Sequence, residues 1–255
     1  MEANPYSLDK SMNQRQEEWL NLKHEDYHSG QFGEPYRSTI KFCDWIDEQH
    51  LIDNEAGAKP ILDVGAGQGA NLSYFADRYP DRSFQGLELN QELVTKGNLI
   101  FQDMKKPCRL DQGDLYDFPG HYNQQFDGLV CLQTLSWLPS FESAMNSLFS
   151  LEPNWIGISS LFFDGELNCT IRVDDLQNSR ECYYNVYSLS LFESYCKQQG
   201  YEFVKWKRFI IDKDLPSANP RGLGTYTKKL ESGERMQFSG PLNMPWYFVS
   251  VQRAV

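Results

Sequence analysis

Long hydrophobic runs are missing: nothing in the 255 residues approaches the ~20 consecutive apolar positions that a membrane-spanning helix needs. The first residues, MEANPYSLDKSMNQ, have neither a basic start nor an apolar stretch, so no secretory signal and no membrane partner are expected, and a cytoplasmic setting is. Paired cysteines are missing too. Cys43, Cys108, Cys131, Cys169, Cys182 and Cys196 form no Cys-x-x-Cys, and the nearest two lie 13 positions apart, which excludes a zinc knuckle or a small disulfide scaffold. Most of these thiols are expected to be reduced, buried and inert. Positive charge is in short supply. With 24 Lys and Arg against 35 Asp and Glu, the net charge of −11 argues against a general binder of phosphate backbones, and no nucleic-acid partner is expected.

What is present suits a packed globular chain. Apolar residues make up 40% and charged residues 23%, and the length allows one large domain or two small ones at ~150 residues each. Aromatic residues, at 14%, gather near the N-terminus and beyond residue 155, where they are candidates for a substrate pocket or for ordinary core.

Residues 1–50 read as helical and polar-aromatic, with a break at Ser29-Gly30-Gln31-Phe32-Gly33-Glu34-Pro35. After the break, Ile40, Cys43, Ile46 and Asp47 fall at helical spacing between Ser38 and Gln49. A polar linker, 53–59, leads to Pro60, and the pattern then changes to strand–helix alternation. Ile61–Val64 is strand-like, Leu72, Phe75, Ala76 and Tyr79 form a helical stripe, and Pro80-Asp81 ends it. Strands follow at 83–89, 108–111, 126–132 and 155–163, separated by helices at 91–103 and 141–149. Ser190-x-x-Glu193 has capping-box spacing for a helix that stops at Gly200, and strands at 201–211 and 246–253 finish the chain. Such alternation predicts a doubly wound α/β sheet with helices on both faces, residues 51–255 forming the domain and 1–50 a helical lid over it.

The strongest local signal is Asp63-Val-Gly65-Ala-Gly67-Gln-Gly69 between a strand and a helix. Glycines there let backbone N–H groups approach a ligand and leave a helix N-terminus facing it. The glycines alone do not choose the ligand: Gly65-x-Gly67-x-x-Ala70 also fits a dinucleotide fingerprint, with Glu88 near the distance of its ribose-binding acid.

The flanks narrow the choice. Asp63 two residues before the first glycine, and the spacing Gly65-x-Gly67-x-Gly69, resemble the first motif of class I S-adenosylmethionine (SAM)-dependent methyltransferases of the small-molecule branch. Gly86-Leu-Glu88-Leu-Asn90 resembles the end of that family's second strand, and Gln112-Gly113-Asp114-Leu115 the loop after its third. Phe126–Leu132 with Gln133-Thr-Leu-Ser-Trp137 resembles its fourth strand and the substrate-side loop behind it. The resemblance implies a Rossmann-like sheet of about seven strands with a reversed C-terminal strand, and SAM as cofactor. It implies cofactor contacts at Asp63, Gly65, Ala66, Gly67, Gly69, Glu88, Leu89, Asp114, Leu115 and Gln133. A carboxylate at Glu88 can accept both ribose hydroxyls, and Asp114 can accept only from a donor such as an exocyclic amine. The N/D-P-P-Y/F signature of nucleobase and glutamine N-methylation is absent: the chain reads Leu132-Gln133-Thr134-Leu135.

His24-Glu25-Asp26-Tyr27-His28 is a literal H-E-x-x-H, the pattern that puts two imidazoles on one helix face for zinc. Its surroundings are polar, only His50 and His121 remain as further histidines, and Ser29-Gly30 ends the helix at once, so no metal is expected. The segment 24–37 is read instead as a lid. Arg37 is a candidate for the methionine carboxylate of the cofactor, whose planar acid a guanidinium matches with two parallel bonds. Transfer of a methyl group to oxygen or nitrogen of a small-molecule acceptor is the activity this implies. His28, His24 and Glu34 are the candidate bases, and Tyr36, Trp137 and Phe163 would shape the acceptor side. The rival readings are a nicotinamide-dependent oxidoreductase and a SAM-binding module without catalysis.

Overall fold

The computed structural model describes residues 30–52, 59–117, 122, 124–176, 180–217 and 221–253. A short 3₁₀ turn, Gly30–Phe32, precedes α1 (Arg37–Glu48), followed by β1 (Ile61–Val64), α2 (Ala70–Arg78), β2 (Phe84–Glu88), α3 (Gln91–Asp103), β3 (Cys108–Gln112) and β4 (Gly128–Leu132). Then come α4 (Phe141–Ser150), β5 (Trp155–Phe163), β6 (Arg172–Asp175), β7 (Arg180–Tyr183), β8 (Tyr187–Ser188), α5 (Leu189–Gln198) and β9 (Phe203–Arg208). The chain closes with β10 (Thr225–Lys229), β11 (Arg235–Ser239), β12 (Leu242–Asn243) and β13 (Trp246–Gln252).

The main sheet has the order β3-β2-β1-β4-β5-β13-β9, with β8 added beside β5. Strands β1 to β5 pair in parallel, whereas β13 runs antiparallel to both β5 and β9. The reversed C-terminal strand expected from the sequence is therefore β13. From β1 the chain steps outward to β2 and β3 on one side and then crosses to β4 and β5 on the other, so the strand order reverses between β1 and β4. Open parallel sheets bind ligands at the carboxyl ends of the strands beside such a point.

Two apolar clusters cover the sheet faces. One joins Phe42, Trp45 and Ile46 of α1 to Leu72 and Phe75 of α2, Val94 and Phe101 of α3, and Phe248 of β13. The other packs Phe141, Met145 and Leu148 of α4 and Phe192 and Cys196 of α5 against Leu62, Ile156, Ile158 and Val249. Helix α1 thus contributes fully to the body of the domain. Truncating a buried ring such as Phe42 typically costs ~3–5 kcal/mol, and its exposure of 1% puts it in that class.

Three local readings are corrected. The helix after β8 starts two residues before the expected box: Ser188, not Ser190, caps α5 by accepting from Leu191 N–H at 3.2 Å, and Glu193 pairs with Lys197 at 2.7 Å. Strand β4 starts at Gly128 rather than Phe126, because Asp127 is held in a turn by Arg82 at 2.5 Å and by Asn154 at 2.9 Å. The late strand ends at Arg208, and an unanticipated three-stranded sheet, β10-β11-β12, is inserted before β13. A second insertion, the β6–β7 hairpin, follows β5. All six cysteines are free; four are buried, and Cys169 is exposed. Burial pushes the thiols of Cys43, Cys108 and Cys131 up to about 12, which suits inert side chains.

Candidate active site

The glycine loop turns directly off the carboxyl end of β1. Gly65, Gly67 and Gly69 have φ of +73°, +56° and +88°, a region that side chains with a Cβ rarely enter. At Gly65 space is closed as well: a Cβ would lie 2.5 Å from Thr134 Oγ1, so the loop rests on the turn after β4. The N–H groups of Gly65 and Ala66 donate to Leu87 O at 2.9 and 3.1 Å, which fastens the loop to β2.

Glu88 ends β2 and holds the loop from the other side. Its Oε2 accepts from Gly67 N–H at 2.8 Å and its Oε1 from Asn90 N–H at 2.9 Å. Burial raises the Glu88 pKa, and these backbone donors oppose the rise. Leu89 N–H is a third backbone donor to this carboxylate, which offers about four lone-pair sites, so capacity to accept from a ligand hydroxyl remains. Asn90 caps α3 through its Oδ1, accepting from Glu92 and Leu93 at 2.9 and 3.4 Å, which fixes the backbone around Leu89.

Asp63, the third residue of β1, is buried at 1% exposure, and neither carboxyl oxygen has a hydrogen-bond partner. Burial first, and then the charge of Glu88, push its carboxyl up to about 7. A buried acid without donors is costly in isolation. It is a strong acceptor held ready for a cation or donor.

Asp114 follows β3, and its Oδ1 accepts from Tyr116 N–H at 3.0 Å at the start of the 3₁₀ turn Leu115–Asp117. Gln133 follows β4 with φ +58°, donates its N–H to Ser159 O at 2.7 Å, and reaches Ser38 Oγ with its Nε2 at 3.0 Å. The structure therefore brings Asp63, Gly65, Ala66, Gly67, Gly69, Glu88, Leu89, Asp114, Leu115 and Gln133 to the carboxyl ends of β1 to β4.

The acceptor-side candidates lie along the neighbouring rim. Trp137 closes the 3₁₀ turn Leu135–Trp137 and packs on Tyr184, with ring centroids 4.1 Å apart. Phe163 ends β5 and is 44% exposed. Tyr36 precedes α1, and Arg37 in its first turn donates to Asp212. Glu34 is exposed, its N–H bonded to Gly30 O at 3.3 Å. His24 and His28 lie outside the described residues. Among the described residues, no group of three or more His, Cys, Asp or Glu is placed to hold a metal, and no helix is long and apolar enough to cross a membrane.

Several supporting residues escaped the motif reading. Gly97 lets α3 approach the glycine loop, since a Cβ there would lie 2.4 Å from Gln68 O. A glycine inside a helical pattern is the signal that could have marked it. Thr39 donates to Asn71 Oδ1 at 2.7 Å, tying α1 to α2. Asn185 is fully buried: its Nδ2 donates to Leu138 O at 2.8 Å and its Oδ1 accepts from Ile171 N–H at 3.0 Å, fastening the β6–β7 insertion to the turn that carries Trp137.

Residues 61–151, from β1 through α4, match the sequence model of a family described as "Methyltransferase domain". This stretch of the chain is similar to a methyltransferase domain. Its fold resembles that of 1,6-didemethyltoxoflavin-N1-methyltransferase from Burkholderia thailandensis, solved with 1,6-didemethyltoxoflavin and S-adenosylhomocysteine (SAH). The TM-score is 0.63 at 11% identity, over 100% of this chain and 94% of that one. Magnesium protoporphyrin IX methyltransferase from Synechocystis PCC 6803, solved with SAH, gives a TM-score of 0.52 at 11% identity, over 96% and 95% of the two chains. At these identities the likeness is one of fold. In sequence, 79 residues are 35% identical to the uncharacterized protein RP028 of Rickettsia prowazekii, covering 31% of each chain. The chain thus spans about a third of that relative's length.

Proposed function

We propose that this methyltransferase domain binds SAM and transfers its methyl group to oxygen or nitrogen of a small-molecule acceptor. The observation that carries the reading is Asp63: a buried carboxyl with both oxygens unpartnered, beside a glycine loop pinned by Glu88. SAM is cationic at its sulfonium and its α-ammonium, and a carboxylate without donors complements such a ligand. A dinucleotide would instead bring a doubly negative pyrophosphate to the glycine loop, beside Asp63 and Glu88, which like-charge repulsion disfavours.

When bound, SAM supplies an activated methyl group attached to sulfur. The work left to this chain is alignment, and positioning of that kind can contribute ~7–11 kcal/mol. Glu88 would accept the ribose hydroxyls, Asp114 the adenine amine, Asp63 the ammonium and Arg37 the carboxylate. Trp137, Tyr36 and Phe163 would hold the acceptor in line with the methyl group. A base is required only for an acceptor that arrives protonated, with Glu34, His24 or His28 in that role. The apolar packing of Trp137 and Tyr184 supports a small, partly apolar acceptor, as do the small-molecule names of the two fold relatives.

Calorimetry with SAM, SAH and NAD tests the cofactor. Binding of SAM and SAH without NAD is expected, and preferential binding of NAD would overturn the reading. Transfer of labelled methyl from SAM to a panel of small phenols, carboxylates and amines then separates an enzyme from a SAM-binding module.

A further inference from the structure

The first turn of α1 is tied at three consecutive residues to three distant parts of the molecule. Thr39 donates to Asn71, the second residue of the helix behind the glycine loop, at 2.7 Å. Ser38 accepts from Gln133, directly after β4, at 3.0 Å. Arg37 donates to Asp212, on the segment leaving β9. The first two contacts place the start of α1 over the carboxyl ends of β1 and β4, where Asp63 is buried. The guanidinium at the start of α1 and the unpartnered carboxyl in β1 are the two charges that complement a zwitterionic amino acid, its carboxylate for Arg37 and its ammonium for Asp63.

In this structure that guanidinium is engaged by the Asp212 carboxylate. We infer that Asp212 stands in for the cofactor's carboxylate on Arg37, is displaced when the cofactor binds, and so weakens binding of carboxylate-bearing ligands selectively. The inference rests on the reading of this pocket as a SAM site. The exchange balances: one carboxylate leaves the guanidinium, another takes its place, and the freed Asp212 is hydrated. Exposure of 46% for Arg37 and 57% for Asp212 makes their pair a weak, screened one that a bidentate ligand carboxylate can replace.

Asp212 also connects the pocket to the small sheet. Beyond it, Leu215 N–H donates to Thr227 Oγ1 at 2.8 Å and Thr227 N–H to Leu215 O at 3.1 Å, while Asp214 accepts from Arg235 at 2.7 Å. Release of Asp212 therefore loosens a segment that is laced to β10 and β11, and the cofactor's arrival is felt at that insertion.

The test uses SAM and decarboxylated SAM, which keeps the sulfonium and the ammonium but lacks the carboxylate. Both are titrated calorimetrically into the full-length wild type, Arg37→Ala, Asp212→Asn and the double variant. Asp212→Asn should bind SAM about two- to fivefold more tightly, the range that the loss of an exposed ion pair allows. Its affinity for decarboxylated SAM should not change. Arg37→Ala should weaken SAM binding and remove the effect of Asp212→Asn. In hydrogen exchange, amides at 212–217 should exchange faster with SAM bound than with decarboxylated SAM. An unchanged SAM affinity in folded Asp212→Asn, with Arg37→Ala still weakened, overturns the inference and leaves the cofactor site standing. An equal gain for both ligands also overturns it. Failure of the wild type to bind either ligand overturns the cofactor reading and the inference with it.

Discussion

Asp63 and Glu88 stand on neighbouring parallel strands, and the Asp63 carboxyl, already raised by burial, is raised further by the charge of Glu88, to about 7. The unfolded chain loses this proton near the ordinary 3.8, whereas the folded chain keeps it until about 7. Between those values the folded state binds more protons, so the Asp63 contribution to stability falls as pH rises and levels off above about 7. Denaturant titrations across this interval should show the decline in the wild type and a flatter profile in Asp63→Asn. Glu88→Gln should move the Asp63 transition to lower pH. SAM binding favours the ionised carboxyl, so at about pH 6 it should release a proton, seen as a binding heat that varies with the ionisation enthalpy of the buffer. No proton release at that pH would remove Asp63 from the cofactor contacts.

Glu88→Ala should lower SAM affinity by about tenfold to a thousandfold, because one side chain is proposed to hold both ribose hydroxyls. It also loses the bond to Gly67 N–H, so part of the effect comes from a looser glycine loop. Calorimetry with SAH, beside far-ultraviolet circular dichroism to establish folding, measures the change. A folded variant with wild-type affinity would show that the ribose is held elsewhere.

The parts of this molecule that were legible in sequence are those written in contiguous residues. Ile61–Val64 and Trp155–Phe163 are apolar runs because both faces of the sheet are covered, and the glycine loop is one uninterrupted string. The β6–β7 hairpin and the β10–β12 sheet were not legible, because their strands are short, β6 and β10 are half or more exposed, and β11 alternates with its polar residues Gln237 and Ser239 on the buried face. Gly233 and Gly240, with φ of +87° and +53°, mark the turns between β10, β11 and β12, but two glycines do not by themselves announce three strands. In the site, the contacts of Arg37 with Asp212 and of Ser38 with Gln133 span 175 and 95 positions, and nothing local encodes them. The capping box at Ser190 misled because Ser188 offers the same hydroxyl chemistry two residues earlier, where β8 ends.

Gly97→Ala should damage the cofactor site without touching a ligand. The added methyl would meet Gln68 O and Leu110 Cδ1, both at 2.4 Å, and the first of these is loop backbone that cannot swing aside. Helix α3 must then move off the glycine loop. Overpacking of this kind costs typically ~1–3 kcal/mol, and SAH affinity should fall as Gly67 and Gly69 shift. Urea denaturation and calorimetry on one sample would check both. Unchanged stability would mean that α3 yields freely at this contact.

Chelation should leave cofactor binding intact. No metal is expected at His24 and His28, and the proposed cofactor contacts are carboxylates and backbone groups that need none. Protein purified without a histidine tag and treated with a chelator should bind SAH as before. One zinc per chain, lost in His24→Ala, would restore the H-E-x-x-H motif to consideration.

The boundary between lid and domain should fall before α1 rather than at residue 50. Phe42 and Trp45 bury their rings against Phe248 of β13, with centroids 5.5 and 6.0 Å away, so residues 37–48 belong to the core. The preceding turn is attached more lightly: Phe32 meets Phe101 edge-on at 6.2 Å, and Gly33 and Glu34 are exposed. Deletion of residues 1–35 should therefore leave a folded protein, whereas deletion of 1–48 should abolish folding. If 24–37 acts as the proposed lid, the shorter deletion should retain most of the SAH affinity and lose turnover more completely, since closure excludes water and aligns the acceptor. Amides at 30–34 should exchange quickly in the free protein and slow markedly with SAH. Equal protection in both states would make the segment a fixed cap and end the gating idea, while the core role of α1 would still be judged by the two deletions.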